Sequence, residues 1–250
     1  MPQAQPKIAI ISAVFGNYDS IKQQRIENAE SVDWFLFTDA PPQHHVHPWK
    51  CITQPYHLEA CPQTFNDIKD KRILNMMSAK YYKAQTHNIP LLAPYDYYIW
   101  IDGSIFLRDN FINNVLETIQ QSGPSDIISF KHSARNNILD EVKESVGMNK
   151  YRGIADKIVN QYNDYIGQGF KDDIGLFENT IMIKRNNLKS SAIFDMWWEH
   201  NVKYSYQDQI SFPFVLWKTN TTPFLIHEYV FNNTRFSFIT KETFNVSHHW

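Results

Sequence analysis

Strand-length runs of apolar, β-branched and aromatic residues, spaced by helical patterns, constrain this chain more than any other feature. "KIAIISAVF" (residues 7–15) is apolar at successive positions, without the alternation of a strand wetted on one face, and predicts a strand buried on both faces. "GNYD" follows as a turn signal. "DWFLFTDA" (33–40), "YYIWI", "SDIISFK" and "GLFENTIMIKRN" predict further strands, and "PPQHHVHPW" reads as loop. Residues 67–87 predict a helix, with Ile68, Ile73, Leu74, Met77 and Tyr81 at roughly helical spacing. "FINNVLETIQ" is an amphipathic helix, a polar helical region with a glycine-containing break runs to about Gly169, "SAIFDMWWEHN" is a helix, and "YSYQDQISFPFVLWK" runs from loop into helix. Strands alternating with helices predict an α/β fold with a largely parallel sheet, which binds ligands beyond the carboxyl ends of its strands. No internal repeat or low-complexity linker divides residues 1–250, so one domain is expected.

Composition removes several function classes. A formal net charge of -2 gives no global reason to expect nucleic-acid binding. The N-terminal stretch lacks the pattern of a secretory signal, and no apolar run has the length of a membrane span, so a cytoplasmic protein is expected. Cys51 and Cys61 fit neither a redox pair nor a zinc quartet and read as reduced structural thiols. On that expectation the sequons at Asn220, Asn232 and Asn245 are chance matches. His44, His45 and His47 sit in a proline-flanked loop without carboxylates or cysteines beside them and read as solvated.

The chemistry begins at "YDYYIWIDGSIFLRDN", where one acid, Asp102, ends a strand and Gly-Ser follows. Gly103 lets backbone approach a ligand closely, and Ser104 places an oxygen on the same side if the chain stays extended. A carboxylate with nearby oxygens suits a hard divalent cation completed by water and substrate phosphates; a plain turn is the competing reading. A phosphatase with a nucleophilic Asp two residues before such an acid is excluded, because that place is Trp100. Neither G-x-x-x-x-G-K-[ST] nor G-x-G-x-x-G occurs, which excludes a P-loop or dinucleotide fingerprint.

Several segments, taken in order, carry a resemblance: "SAKYYKAQTH" (78–87), "YDYYIWIDGSI", "HSARNNILDE" (132–141), "GLFENTIMIKR" (175–185), "MWWEH" (196–200) and "QDQISFPFVL" (207–216). Together they resemble GT-A-fold glycosyltransferases, and more closely a plant and bacterial glycosyltransferase family first catalogued as a domain of unknown function. The resemblance implies a Rossmann-like, mixed but mostly parallel sheet flanked by helices. It also implies Mn2+ or Mg2+, a nucleotide-diphosphate sugar as donor, and hexosyl or deoxyhexosyl transfer to a glycan or lipid-linked glycan acceptor. From the bacterial setting of similar proteins comes the expectation of capsule or lipopolysaccharide synthesis, in the cytoplasm or at the inner membrane face.

Residue by residue, the resemblance implies that Asp102 binds the metal, with Ser104 where the usual D-x-D motif has its second acid. Lys80 and Lys83 stand at basic positions of the family and would hold the diphosphate, with Arg72 a third candidate; a solvated helix face is the alternative. Thr38 and Asp39 are similar to a base-reading strand end, and Tyr18 could stack on the base. His132 and Arg135 could bind donor sugar or phosphate, or form a structural pair. Asp208 matches the acid of an R-D-Q-x-S-F motif, with Gln207 in place of the Arg, and is the first catalytic candidate; a helix N-cap is the alternative. Glu178 is the second candidate. Trp197, Trp198 and Glu199 read as packing, with Glu199 a potential acceptor contact. His248, His249 or His227 could complete a metal shell, as late histidines often do in GT-A enzymes. A noncatalytic carbohydrate-binding or scaffold protein on the same fold is the competing function.

Overall fold

The computed structural model describes residues 5–17, 19, 21–53 and 70–239. Tyr18, Cys61, Asn245, His248 and His249 lie outside these residues, as do 67–69 at the start of the expected first helix.

The described strands of the main sheet are β1 (Ile8–Val14), β2 (Asp33–Thr38), β3 (Lys50–Thr53), β4 (Tyr97–Ile101), β6 (Ile127–Lys131), β7 (Phe177–Arg185) and β8 (Phe224–Ile226). They form one seven-stranded sheet in the order β3-β2-β1-β4-β7-β6-β8. Strands β1, β2, β3 and β4 pair in parallel and β6 pairs in parallel with β8, whereas β7 runs antiparallel to both its neighbours, β4 and β6. The sheet is therefore mixed and mostly parallel, as expected, with β7 inserted against the grain. A separate ribbon pairs β5 (Phe106–Leu107) with β9 (Ser237–Phe238).

Central strands bury both faces, which is why their sequences are apolar without alternation. In β1, Ala9, Ile11 and Ala13 join a core cluster on one face, while Ile8, Ile10 and Val14 join the cluster on the other. Among the helices that contribute to the first cluster are α1 (Lys71–Ala84), α3 (Ile138–Gly147), α5 (Leu188–Lys203) and α6 (Asp208–Lys218). A further helix, α4 (Ala155–Gly167), packs beside α3, and α2 (Phe111–Gln121) covers the opposite face with Phe111, Ile112 and Val115. Helix α6 is buried along most of its length and touches β7, α5 and α3, which explains why its sequence lacks a polar face. No described helix is long and apolar enough to cross a membrane.

Strand direction places the chain's acids together. The carboxyl ends of β1, β2, β4, β6 and β8 and the amino end of β7 share one edge of the sheet. Asp39, Asp102, His132 and Glu178 all fall at that edge.

Candidate active site

A cavity of about 560 Å³ opens at this edge, lined by residues from the ends of β1, β4, β6 and β7 and from α1, α3 and α6. Its size suits a small-molecule ligand. Asp102, Ser104, Lys80, Lys83, His132, Arg135, Glu178 and Asp208 all line it.

Helix α1 begins at Asp70, whose carboxylate accepts the Arg72 N–H at 2.9 Å as an N-cap. Three residues apart on α1, Lys80 and Lys83 face the cavity side by side. Both ammonium groups converge on Asp208: Lys80 Nζ lies 3.0 Å from Oδ1, and Lys83 Nζ lies 3.0 Å from Oδ2. Lys83 Nζ also stands 3.7 Å from Asp102 Oδ1. Burial works against the Asp208 carboxylate, but the two lysines overcome it and hold the group well below the usual carboxylate range. For Lys80, burial outweighs Asp208 and lowers the pKa. For Lys83 burial pulls the same way, but Asp102 and Asp208 together reverse it and raise the pKa. The lysines are thus neither a solvated helix face nor bare cations awaiting a phosphate.

Asp208 is not an N-cap. It is the first residue of α6, Gln207 occupies the cap position, and no side chain caps this helix. Gln207 instead donates to Glu141 Oε1 at 2.6 Å, and Trp197 Nε1 donates to the Asp208 carbonyl at 3.0 Å, fixing the start of α6 from α5.

Asp102 is about one-third exposed, and its Oδ1 accepts the Trp100 indole N–H at 2.6 Å. Its backbone N–H donates to the Thr180 carbonyl at 2.9 Å, which ties the motif to β7. A Cβ added at Gly103 would lie 3.0 Å from Val14 Cγ2 and 3.4 Å from Asp19 Oδ2, so the missing side chain is what lets this backbone close on the β1 turn and its acid. Asp102, Asp19 and Ser104 together present hard oxygen donors suited to Mg2+ or Mn2+. Among the described residues there is no group of three or more His, Cys, Asp or Glu arranged to hold a metal.

Glu178 comes from the second residue of β7, where a register irregularity in β6 pairs it with Phe130. Burial, reinforced by the charge of Glu141, raises its pKa to about 7 against the pull of the Ser133 N–H and Arg135. Gln209 Nε2 donates to its Oε2 at 3.4 Å, and His132 Nε2 lies 3.5 Å from Oε1. Arg135 Nε donates to Glu141 Oε2 at 2.6 Å, and Ser145 Oγ donates to Glu141 Oε1 at 3.1 Å. The structural pairing expected as one alternative for His132 and Arg135 is therefore present, and it includes a buried acid.

Other expectations are corrected. The Arg72 side chain is 83% exposed, pairs with Asp70 at 2.9 Å and does not line the cavity, because the first turn of α1 points it outward. Thr38 and Asp39 stand at the predicted strand end, yet neither lines the cavity. Thr38 Oγ1 donates to the Ala40 carbonyl at 2.9 Å, and both Asp39 carboxylate oxygens accept the Gly16 N–H at 3.0 Å, so Asp39 braces the β1 turn. Gly16 has φ +61, and a Cβ there would lie 1.7 Å from Asn75 Nδ2, so glycine is required on both counts. His227 and Glu199 are exposed and line no part of the cavity, and His44, His45 and His47 are exposed as expected. Trp197 and Trp198 are core residues. Cys51 is a free thiol whose pKa burial raises.

Four residues that sequence reasoning passed over shape the site: Glu141, Gln209, Asp19 and Lys184. Only Glu141 carried a readable signal, an acid within the stripe Ile138, Glu141, Val142, Ser145 that α3 buries. Lys184, fully buried on β7, donates to Thr86 Oγ1 at 2.7 Å and to the Lys83 carbonyl, securing the end of α1.

Among the solved structures similar to this chain are the following two. One is mouse xyloside xylosyltransferase 1 in its apo form, with 9% identity, 89% of this chain and 84% of that chain covered, and a TM-score of 0.48. The other is core-mannan synthase A of Aspergillus fumigatus in its Mn/GDP form, with 14% identity, 86% and 71% covered, and a TM-score of 0.49. No residue's role rests on either likeness. A sequence search of curated proteins gives no match. A family model described as the TOD1/MUCI70 glycosyltransferase-like domain matches residues 1–244. Because that match takes in the whole sheet, its helices and every residue around the cavity, the chain belongs to the TOD1/MUCI70 glycosyltransferase-like domain family.

Proposed function

We propose that this protein is a metal-dependent glycosyltransferase that moves a sugar from a nucleotide-diphosphate donor to a hydroxyl of a glycan acceptor, with Glu178 as the base. The observation that carries this reading is the opposed behaviour of two acids in one cavity. Glu178, near 7, is half ionised at neutral pH and can accept a proton, whereas Asp208, held ionised by Lys80 and Lys83, is a poor base. Asp208 thus moves from base to organiser of the lysine pair. A base carboxylate facing the acceptor fits an inverting transfer, in which the acceptor hydroxyl attacks the anomeric carbon as its proton passes to Glu178 and the diphosphate leaves.

Asp102, Asp19 and Ser104 would hold the divalent ion together with diphosphate oxygens, and the ion's contribution is to neutralise charge on the leaving group. Lys80 and Lys83 border the same space and add positive potential. A noncatalytic sugar-binding protein would have no use for a carboxyl poised near neutrality beside a paired lysine cluster.

The test is a thermal-shift screen of nucleoside diphosphates and their sugars, with and without Mn2+, on wild type and Asp102→Asn. A true donor raises Tm selectively, more with Mn2+, by roughly 3 kcal/mol of stabilisation at a hundredfold excess over Kd. Asp102→Asn should lose the metal-dependent part while keeping its ligand-free Tm. No shift with any donor would overturn the transferase reading.

A further inference from the structure

The cluster around Glu178 contains a histidine whose protonation state is fixed by backbone. His132 Nδ1 accepts two main-chain N–H groups, from Ala134 at 3.1 Å and Arg135 at 3.0 Å. A proton on Nδ1 would point at two donors, so that nitrogen must carry a lone pair. A neutral imidazole then has its proton on Nε2. That nitrogen faces Glu178 Oε1 at 3.5 Å and Glu141 Oε2 at 4.0 Å. Arg135 Nη2 also lies 3.2 Å away and would favour a bare Nε2, but a neutral imidazole leaves only one nitrogen bare, and the two main-chain donors on Nδ1 outnumber the one side-chain donor on Nε2.

We propose that His132 is a positioning residue, locked by the loop after β6 as the neutral Nε2–H tautomer, that presents this N–H to Glu178 and so orients the carboxylate that takes the acceptor's proton. This rests on the transferase reading for its purpose but not for its physics. The charged and titratable groups facing Glu178 are Glu141 from α3, Arg135 from the same loop as His132, Asp102 after β4 and Tyr229 after β8. Glu141 already accepts from Arg135, Gln207 and Ser145 and lies 4.0 Å from Nε2 against 3.5 Å for Glu178, so Glu178 is the nearer acceptor for the histidine's one donor. Burial lowers the pKa of His132 to about 4, in keeping with an imidazole that stays neutral wherever the enzyme works.

The experiment is NMR on the full chain, free of substrate, with 15N-labelled histidine and 13C-labelled glutamate carboxyls. The expected His132 pattern is a protonated Nε2 and a bare Nδ1, unchanged from pH 5 to 8. A protonated Nδ1, or an imidazolium appearing within that range, would overturn the proposal. Glu178 is then titrated in His132→Gln and His132→Phe. Phenylalanine has neither an acceptor for the loop N–H groups nor an N–H, whereas the glutamine amide can supply an N–H near the Nε2 position. The Glu178 midpoint should stay near that of wild type in His132→Gln and rise by about one pH unit in His132→Phe, where the ionised carboxylate loses a donor. Equal midpoints in all three proteins would reduce His132 to packing. Should a variant fail to fold, the wild-type tautomer alone decides. Neither readout needs turnover, so failure to find a donor sugar and failure of this inference are separate results.

Discussion

The burial that would suit Glu178 to the proposed base role costs the fold stability. The Glu178 carboxyl is raised from 4.5 to about 7, so the native state holds a proton that the unfolded chain has already released. Stability is therefore unaffected below about pH 4, falls as pH rises through this window, and by pH 8 is lower by up to about 3 kcal/mol. Glu178→Gln removes the ionisation, so its Tm should match wild type at pH 4 and exceed it at pH 8; equal melting curves at pH 8 would show that the site is not desolvated. The same variant should lower kcat by roughly 10²- to 10⁴-fold with donor binding retained, and wild-type kcat should climb with pH through a midpoint near 7 to a plateau above about pH 8. Such a pairing of gained stability and lost turnover separates a chemical role from a structural one, since a supporting side chain would lose both.

At the scale of elements, α1 and α6 meet through three charges, of which Lys83 and Asp208 are buried and Lys80 is half-buried. Asp208→Asn leaves Lys80 and Lys83 facing each other without a full counter-charge, and should cost about 3 kcal/mol or more in urea unfolding, with weaker donor binding as the lysines spread. A loss under 1 kcal/mol would mean the pair is solvated. The longer elements were legible in the sequence: β1, β2, β4, β6 and β7 announce themselves as apolar runs, and the helices by their spacing. The short strands were not, because β3, β5, β8 and β9 are two to four residues long and carry no period of their own. Nor was the direction of β7, since a doubly buried strand reads the same either way and only its partners decide. Asp102, Lys80, Lys83, Glu178 and Asp208 were legible as candidates and all line the cavity, but the division of labour proposed for them was not legible. Which acid is the base depends on who neutralises whom across α1, α3 and α6, and that is a property of packing. The bond from Gly16 to Asp39 was not legible for a related reason: a strand-end acid can serve its own turn, and only the fold shows that it does.

Taken as a whole, the molecule has a formal net charge of -2 and an ion-paired centre in which Lys80 and Lys83 balance Asp102 and Asp208. A diphosphate entering this balanced site brings negative charge that the protein alone does not cancel. Chelation should therefore weaken nucleoside diphosphate binding by about tenfold or more, a difference of about 1.4 kcal/mol or more, measured by calorimetry with EDTA against Mn2+. Equal affinity in both would remove the metal from the reading. The antiparallel strand at the centre of the sheet has a consequence of another kind. Through Thr180 it anchors the backbone of Asp102, and two residues earlier it carries Glu178, about 7 Å along the same strand face. On the proposed reading, the span between leaving group and base is thus set by one rigid strand, so the surrounding loops could change for new sugars while the reaction keeps its ruler.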